Sequence, residues 1–176
     1  GVENWNVQNV NRIEYWFHNC GLSEIKLPDL TKNDISSIRH LFSGANNITE
    51  IDLTKIDMNK VTDLKETFAY CHKLKTIYVQ NDYAGTSNDS DTFIDCTSLI
   101  GGAGTKYDPT FIDSTAARID GGINSPGYFT SISDKPLETQ QTNEETVNEV
   151  KSVEAPVKEP DELESDSKQN ESESQQ

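Results

Sequence analysis

Apolar residues return along this chain at a fixed distance. Phe17, Phe42, Phe68 and Phe93 stand 25, 26 and 25 residues apart, and a period of that size predicts stacked structural repeats. Seven residues before the first three Phe are Val10, Ile35 and Val61, and four before them are Ile13, Ile38 and Leu64. Spacings of three and four are those of one helix face. After each Phe come Cys20, Ala45, Cys71 or Cys96, and then Leu22, Ile48, Leu74 or Leu99. The period then drops to two, with Ile25 and Leu27, Ile51 and Leu53, and Ile77 and Val79 alternating with polar neighbours, as in a half-exposed strand. Each unit therefore predicts a short helix, a tight turn and a short strand, the most complete being Val61 to Val79. One such unit buries too little to offset the entropy of ordering it, so the predicted core forms only by stacking.

The units differ. Trp5 stands twelve residues before Phe17, as Leu30 and Ile56 do before the next two Phe, so the sequence opens inside a repeat and is expected to be a segment of a longer protein. The first unit is one residue shorter between Cys20 and Leu22, and Pro28 closes its strand. Gly44 and two Asn suit the turn of the second. In the fourth, NDYAGTSNDSD replaces the helix pattern with poor helix formers. Residues 101–130 leave the period and predict a hairpin or irregular cap, with Tyr107, Ile119, Tyr128 and Phe129 covering the last core layer. Residues 131–176 hold three Asp and ten Glu against four Lys and no aromatic residue, the composition of a disordered acidic tail.

The segment EIDLTKIDMNKVTDLKETFAYCHKLKTIYV, followed by TFIDCTSLIGGAGTKYD and ARIDGGINSPGYFT, resembles the repeats and closing segment of BspA-like leucine-rich repeat surface proteins. The resemblance covers residues 4–130. It implies an α/β fold, a leucine-rich-repeat solenoid of short helix plus short strand per repeat, with a C-terminal β-type cap, to which composition adds the disordered acidic tail. The divisions are then repeats over 4–100, cap over 101–130 and tail over 131–176. It also implies a surface-exposed or secreted, non-catalytic protein that binds other proteins, such as host extracellular matrix or cell-surface components. Trp16, Leu41 and Thr67 stand where the family commonly has Met before the Phe, and Ala45 stands in place of Cys.

A formal net charge of −15 argues against nucleic acid as a partner, since its phosphates would be repelled. No apolar run approaches the roughly 20 residues of a membrane-spanning helix. Cys71 and Cys96 occupy equivalent sites in adjacent units, about 5 Å apart if stacked, where a disulfide is conceivable on distance and a ladder of buried thiols suits their parallel directions better. His18, His40 and His72 fall at three different offsets and are expected on different faces. Asp89, Asp91 and Asp95 crowd one loop but lack the glycine and terminal glutamate of a calcium loop. Asn47, Asn88 and Asn170 open formal glycosylation sequons. No phosphate-binding loop, nucleophile elbow or metal-ligand spacing is present, so neither cofactor nor metal is expected.

A binding surface, if there is one, is expected on the strand face. Glu24 and Lys26, Glu50 and Asp52, and Thr76 and Tyr78 alternate with the core and should project together, with Tyr78 between acidic residues as an anchor for a basic protein or peptide. Plain solvent exposure is the competing reading of these six positions. At the level of the whole chain, the alternative to a binding module is a spacer or stalk presenting another domain.

Overall fold

A computed structural model describes residues 2–85 and 89–136 of the chain. The tail from 137 onward, with its expected disorder, lies outside the described residues, as do Asn88 and Asn170. Regular structure is sparse. Strands β1 (Glu50–Asp52), β2 (Thr76–Val79) and β3 (Thr130–Ser131) form one parallel sheet in that order. Among the described residues, four single-turn 3-10 helices cover Val2–Asn4, Ser114–Ala116, Gly122–Asn124 and Ile132–Asp134.

The expected helix in each repeat is absent: no helix among the described residues exceeds three residues. The helix-plus-strand solenoid is thereby overturned, and the backbone shows why. Two residues before each Phe, Tyr15, His40, Glu66 and Asp91 have φ of 62°, 52°, 53° and 61°. Two residues after it, Asn19, Gly44, Tyr70 and Asp95 have φ of 52°, 73°, 61° and 56°. A left-handed residue cannot continue a right-handed helix, so the i→i−4 ladder never starts.

The amide donors divide instead. The N–H groups of Ile13, Tyr15, Phe17 and Asn19 donate to the carbonyls of Ser37, Arg39, Leu41 and Ser43 in the next unit, at 2.7–3.2 Å. Those of Ile38, His40, Phe42 and Gly44 donate in turn to Asp63, Lys65, Thr67 and Ala69, and those of Phe68 and Tyr70 to Thr92 and Ile94. The intervening amides, such as those of Leu41, Ser43, Ala45, Thr67, Ala69 and Cys71, close turns onto the carbonyl three residues back. Non-glycine residues in the left-handed region cost about 1–2 kcal/mol each. The bonds between units offset that cost by satisfying buried donors that a lone turn would orphan.

Apolar spacing did place the core. Phe17, Phe42, Phe68 and Phe93 stack face to face with centroids 5.7, 6.0 and 5.3 Å apart and planes within 9°. Ile13, Ile38 and Leu64 are buried one layer away. Thr67 fills its core slot by donating its hydroxyl to Ile38 O at 3.0 Å and Leu64 O at 2.8 Å. Cys71 and Cys96 are free and buried, each donating its thiol to the carbonyl of an earlier Phe, Phe42 at 3.1 Å and Phe68 at 2.9 Å.

Strands form in only two of the four repeats. The segment Glu24–Leu27 pairs with nothing as a strand. Its one-residue deletion leaves Leu22 half exposed and not in the core position held by Ile48, Leu74 and Leu99. The fourth repeat supplies no strand beside β2, and β3 takes that place, with Tyr78 opposite Thr130 and Val79 opposite Ser131. The closing segment is otherwise irregular, its aromatic residues covering the stack as expected: Tyr128 and Phe129 are fully buried, 5.2 and 6.1 Å from the Phe93 ring, while Tyr107 and Ile119 are partly buried against the core.

One carboxylate ties the closing segment together. Asp120 accepts from the amides of Ala103 and Thr105 through one oxygen, and from the Thr105 hydroxyl and the Gly122 amide through the other, at 2.7–2.9 Å. Gly101 has to be glycine, because a Cβ there would collide with the Gly127 carbonyl and the Asp120 side chain. The fold then runs past residue 130, where composition had placed the start of the tail: Ser131 belongs to β3 and caps the turn Ile132–Asp134 by accepting from the Ser133 amide.

Candidate functional site

Parallel register brings four of the six expected surface residues together. Glu50 lies opposite Thr76 and Asp52 opposite Tyr78. Glu24 and Lys26 are not part of this sheet; they are exposed and pair with each other at 3.2 Å, beside a shallow cleft lined by Val2, Phe17, Leu22 and Ile25. The expected six-residue face is therefore two separate patches.

Tyr78 also departs from expectation. It is 7% exposed, on the central strand with Lys135 lying across its ring. The turn Ile132–Asp134 carries Lys135 back over the sheet, its amide donating to Ile132 O at 3.1 Å. Its Nζ stands 4.9 Å from the Tyr78 ring centroid, 2.8 Å from Asp52 Oδ2 and 3.3 Å from Glu50 Oε1. The other Asp52 oxygen accepts from the Thr54 amide at 2.9 Å and the Thr54 hydroxyl at 2.6 Å, which fixes the carboxylate with Oδ2 turned to the cation. A basic group thus sits between Tyr78 and its acidic neighbours, supplied by the chain itself.

Electrostatics follow from this geometry. Burial alone would raise the Asp52 pKa, but the hydrogen bonds from Lys135 and Thr54 outweigh it and hold the carboxyl below its usual range. Burial would lower that of Lys135, and Asp52 and Glu50 more than reverse it, so the ammonium is held above its usual value. Burial, then the Glu50 charge, pushes the Tyr78 phenol up. All three groups keep these charge states across the neutral range.

A second cluster lies elsewhere in the repeats. Tyr15 and His40, both two residues before a Phe and both left-handed, stack at 4.6 Å and 16°. His18 packs edge-on, 5.6 Å from Tyr15 and 6.1 Å from His40. His18 and His40 therefore converge, contrary to the separate faces their offsets suggested on helical geometry, since the left-handed backbone redirects both. His72 stands apart, its Nδ1 2.9 Å from Asp95 O. His40 Nδ1 is buried without a hydrogen bond; Glu66 Oε2 lies 3.5 Å away, an ion pair only when the ring is protonated. Desolvation lowers the His40 pKa, the Glu66 charge opposing it, so the ring is neutral at pH 7.

The remaining candidate chemistry is absorbed by the fold. Asp89 accepts from the Leu64 amide at 2.7 Å and the Tyr83 hydroxyl at 2.9 Å. That carboxylate replaces the carbonyl that the next unit supplies elsewhere. Among the described residues, no three His, Cys, Asp or Glu side chains converge as a metal site. Burial pushes the Cys71 thiol up to about 12 and that of Cys96 also upward, so neither is a nucleophile at neutral pH. Asn47 is engaged, donating to Gly21 O at 3.1 Å and accepting from Lys73 Nζ at 3.1 Å.

Lys135 is the member of this cluster that sequence reasoning missed. Composition grouped it with the acidic tail, and the available signal was local: Ser131 stands two residues before Ser133, a cap pattern that restarts structure after PGYFT.

Residues 1–102 match the model of the family described as "Mycoplasma protein of unknown function, DUF285". The chain belongs to this family. No curated protein and no solved structure matches it. Among the described residues, no helix is long and apolar enough to cross a membrane.

Proposed function

We propose that this chain is a non-catalytic, surface-exposed or secreted protein that binds other proteins, in adhesion to host matrix or partner cells. The observation that carries the reading is the part of the sheet where Glu50, Asp52 and Tyr78, on β1 and β2, gather a basic side chain. Two carboxylates and an aromatic ring around one ammonium form an arrangement suited to basic protein segments. The resemblance of residues 4–130 to BspA-like surface proteins points the same way, the matched residues being repeat and closing motifs and not catalytic ones.

A second reading, a spacer or stalk presenting another domain, is favoured by one observation: the cation site is already filled from within the chain. The two are separated by presenting the full chain, at physiological salt, to an array of matrix and cell-surface proteins. Saturable binding to particular components is the outcome for a binding protein. A folded chain that retains none of them is the outcome for a spacer.

A further inference from the structure

Lys135 occupies its site by a short and separable connection. Only the two-residue strand β3 and one 3-10 turn link it to Phe129, whereas the core closes on Tyr128 and Phe129 themselves. Its departure would break the contacts to Asp52 and Glu50 and uncover the Tyr78 ring, leaving the aromatic stack intact. What remained would be a ring flanked by two carboxylates, with Asp52 still oriented by Thr54. Such a cradle has no partner for its charge except a cation, and its dimensions are those the lysine ammonium now fills.

We propose that Lys135 is an internal occupant of a lysine-recognition site, and that a lysine side chain on a basic segment of a partner protein displaces it from Glu50, Asp52 and Tyr78. The inference rests on the protein-binding reading and adds the partner's chemistry and a built-in competitor. Competition of this kind sets a threshold. The contacts holding Lys135 are two partly exposed ion pairs and a cation–π contact, each weak singly. The penalty on an incoming lysine is therefore about five- to thirtyfold in affinity, enough to reject isolated lysines and admit segments that make further contacts.

The test uses the full chain and a labelled, end-blocked peptide of alternating lysine and glycine, followed by fluorescence anisotropy. Lys135→Gln should tighten binding about five- to thirtyfold, and adding Asp52→Asn should remove the gain, which separates the site from general attraction to an acidic chain. In the unsubstituted protein, mass spectrometry after brief acetylation should show Lys135 labelled more slowly than exposed Lys26, and its labelling should rise when peptide is present.

Equal affinity of the Lys135→Gln and unsubstituted chains would overturn the proposal. So would bound peptide that leaves Lys135 labelling unchanged, a result that decides the matter even if Lys135→Gln does not fold. Saturable partner binding on the array that ignores Lys135→Gln would sink this inference alone. A peptide response without any partner on the array would instead sink the adhesion reading and leave the site standing.

Discussion

The repeats and the closing segment hold themselves together in opposite ways. Between residues 13 and 96 the same contacts recur: alternate amides reach the next unit and Phe stacks on Phe. In 101–136 the contacts that tie the segment to itself and to the sheet have no counterpart in the repeats: Asp120 gathers four donors, Gly101 meets Gly127, and Lys135 meets Asp52. Repetition spreads the stabilisation over many equivalent bonds, so losing a peripheral one changes little. Unique contacts concentrate it, so single substitutions in the closing segment should behave like core substitutions.

That contrast can be broken in order of expected effect. Phe68→Ala removes a ring stacked on both sides and should cost about 3–5 kcal/mol in denaturant unfolding. Phe17→Ala, with a single stacked neighbour, should cost clearly less. Asp120→Ala orphans four donors of the closing segment and should cost about 2–4 kcal/mol. Thr62→Ala, which removes an exposed hydroxyl donating to Ser36 O, should stay within about 0.5 kcal/mol. If Asp120→Ala and Thr62→Ala lowered stability equally, the distinction between the two regions would be wrong.

Acid should act on both regions, at different pH. His40 has a folded pKa below its unfolded value because burial disfavours its charged form. The unfolded chain therefore takes up its proton first, and stability falls as pH drops below about 6.5. His40→Gln should flatten the melting temperature between pH 7 and pH 5. Asp120 and Asp52 have depressed folded pKa values: burial opposes this, and hydrogen bonds from Thr105 in one case and from Lys135 in the other prevail. Their contribution is present above the unfolded value of about 3.9 and is lost as pH falls through the folded one. A second decline below about pH 4, reduced in Asp120→Asn, is the expected result.

How far the sequence carried depends on which force each residue answers to. Phe17 through Phe93, Ile13, Ile38 and Leu64 were placed in the core because apolar burial depends on spacing, which can be counted. The helix was misread because spacings of three and four also arise from i→i−3 turns alternating with bonds to the next unit. Tyr15, His40 and Glu66 hold left-handed backbone, against their own preferences, because alternate amides, those of Tyr15 and His40 among them, bond to the neighbouring unit. That is a tertiary effect that local propensity does not contain. Tyr128 and Phe129 were legible as cap residues since they interrupt a polar stretch with bulk. Lys135 was not, because its carboxylate partners Asp52 and Glu50 lie more than eighty positions earlier and the sheet brings them near.

The claim on which the binding account turns is that Glu50, Asp52 and Tyr78 hold a cation, and the Lys135 ammonium reports on it directly. Titration of the lysine ε-methylene signals by NMR in the full chain should show Lys135 losing its proton at higher pH than an ordinary lysine. Asp52→Asn should move it back toward the ordinary lysine value. A Lys135 that titrates at the ordinary lysine value, unmoved by Asp52→Asn, would mean that no cation site exists on this sheet.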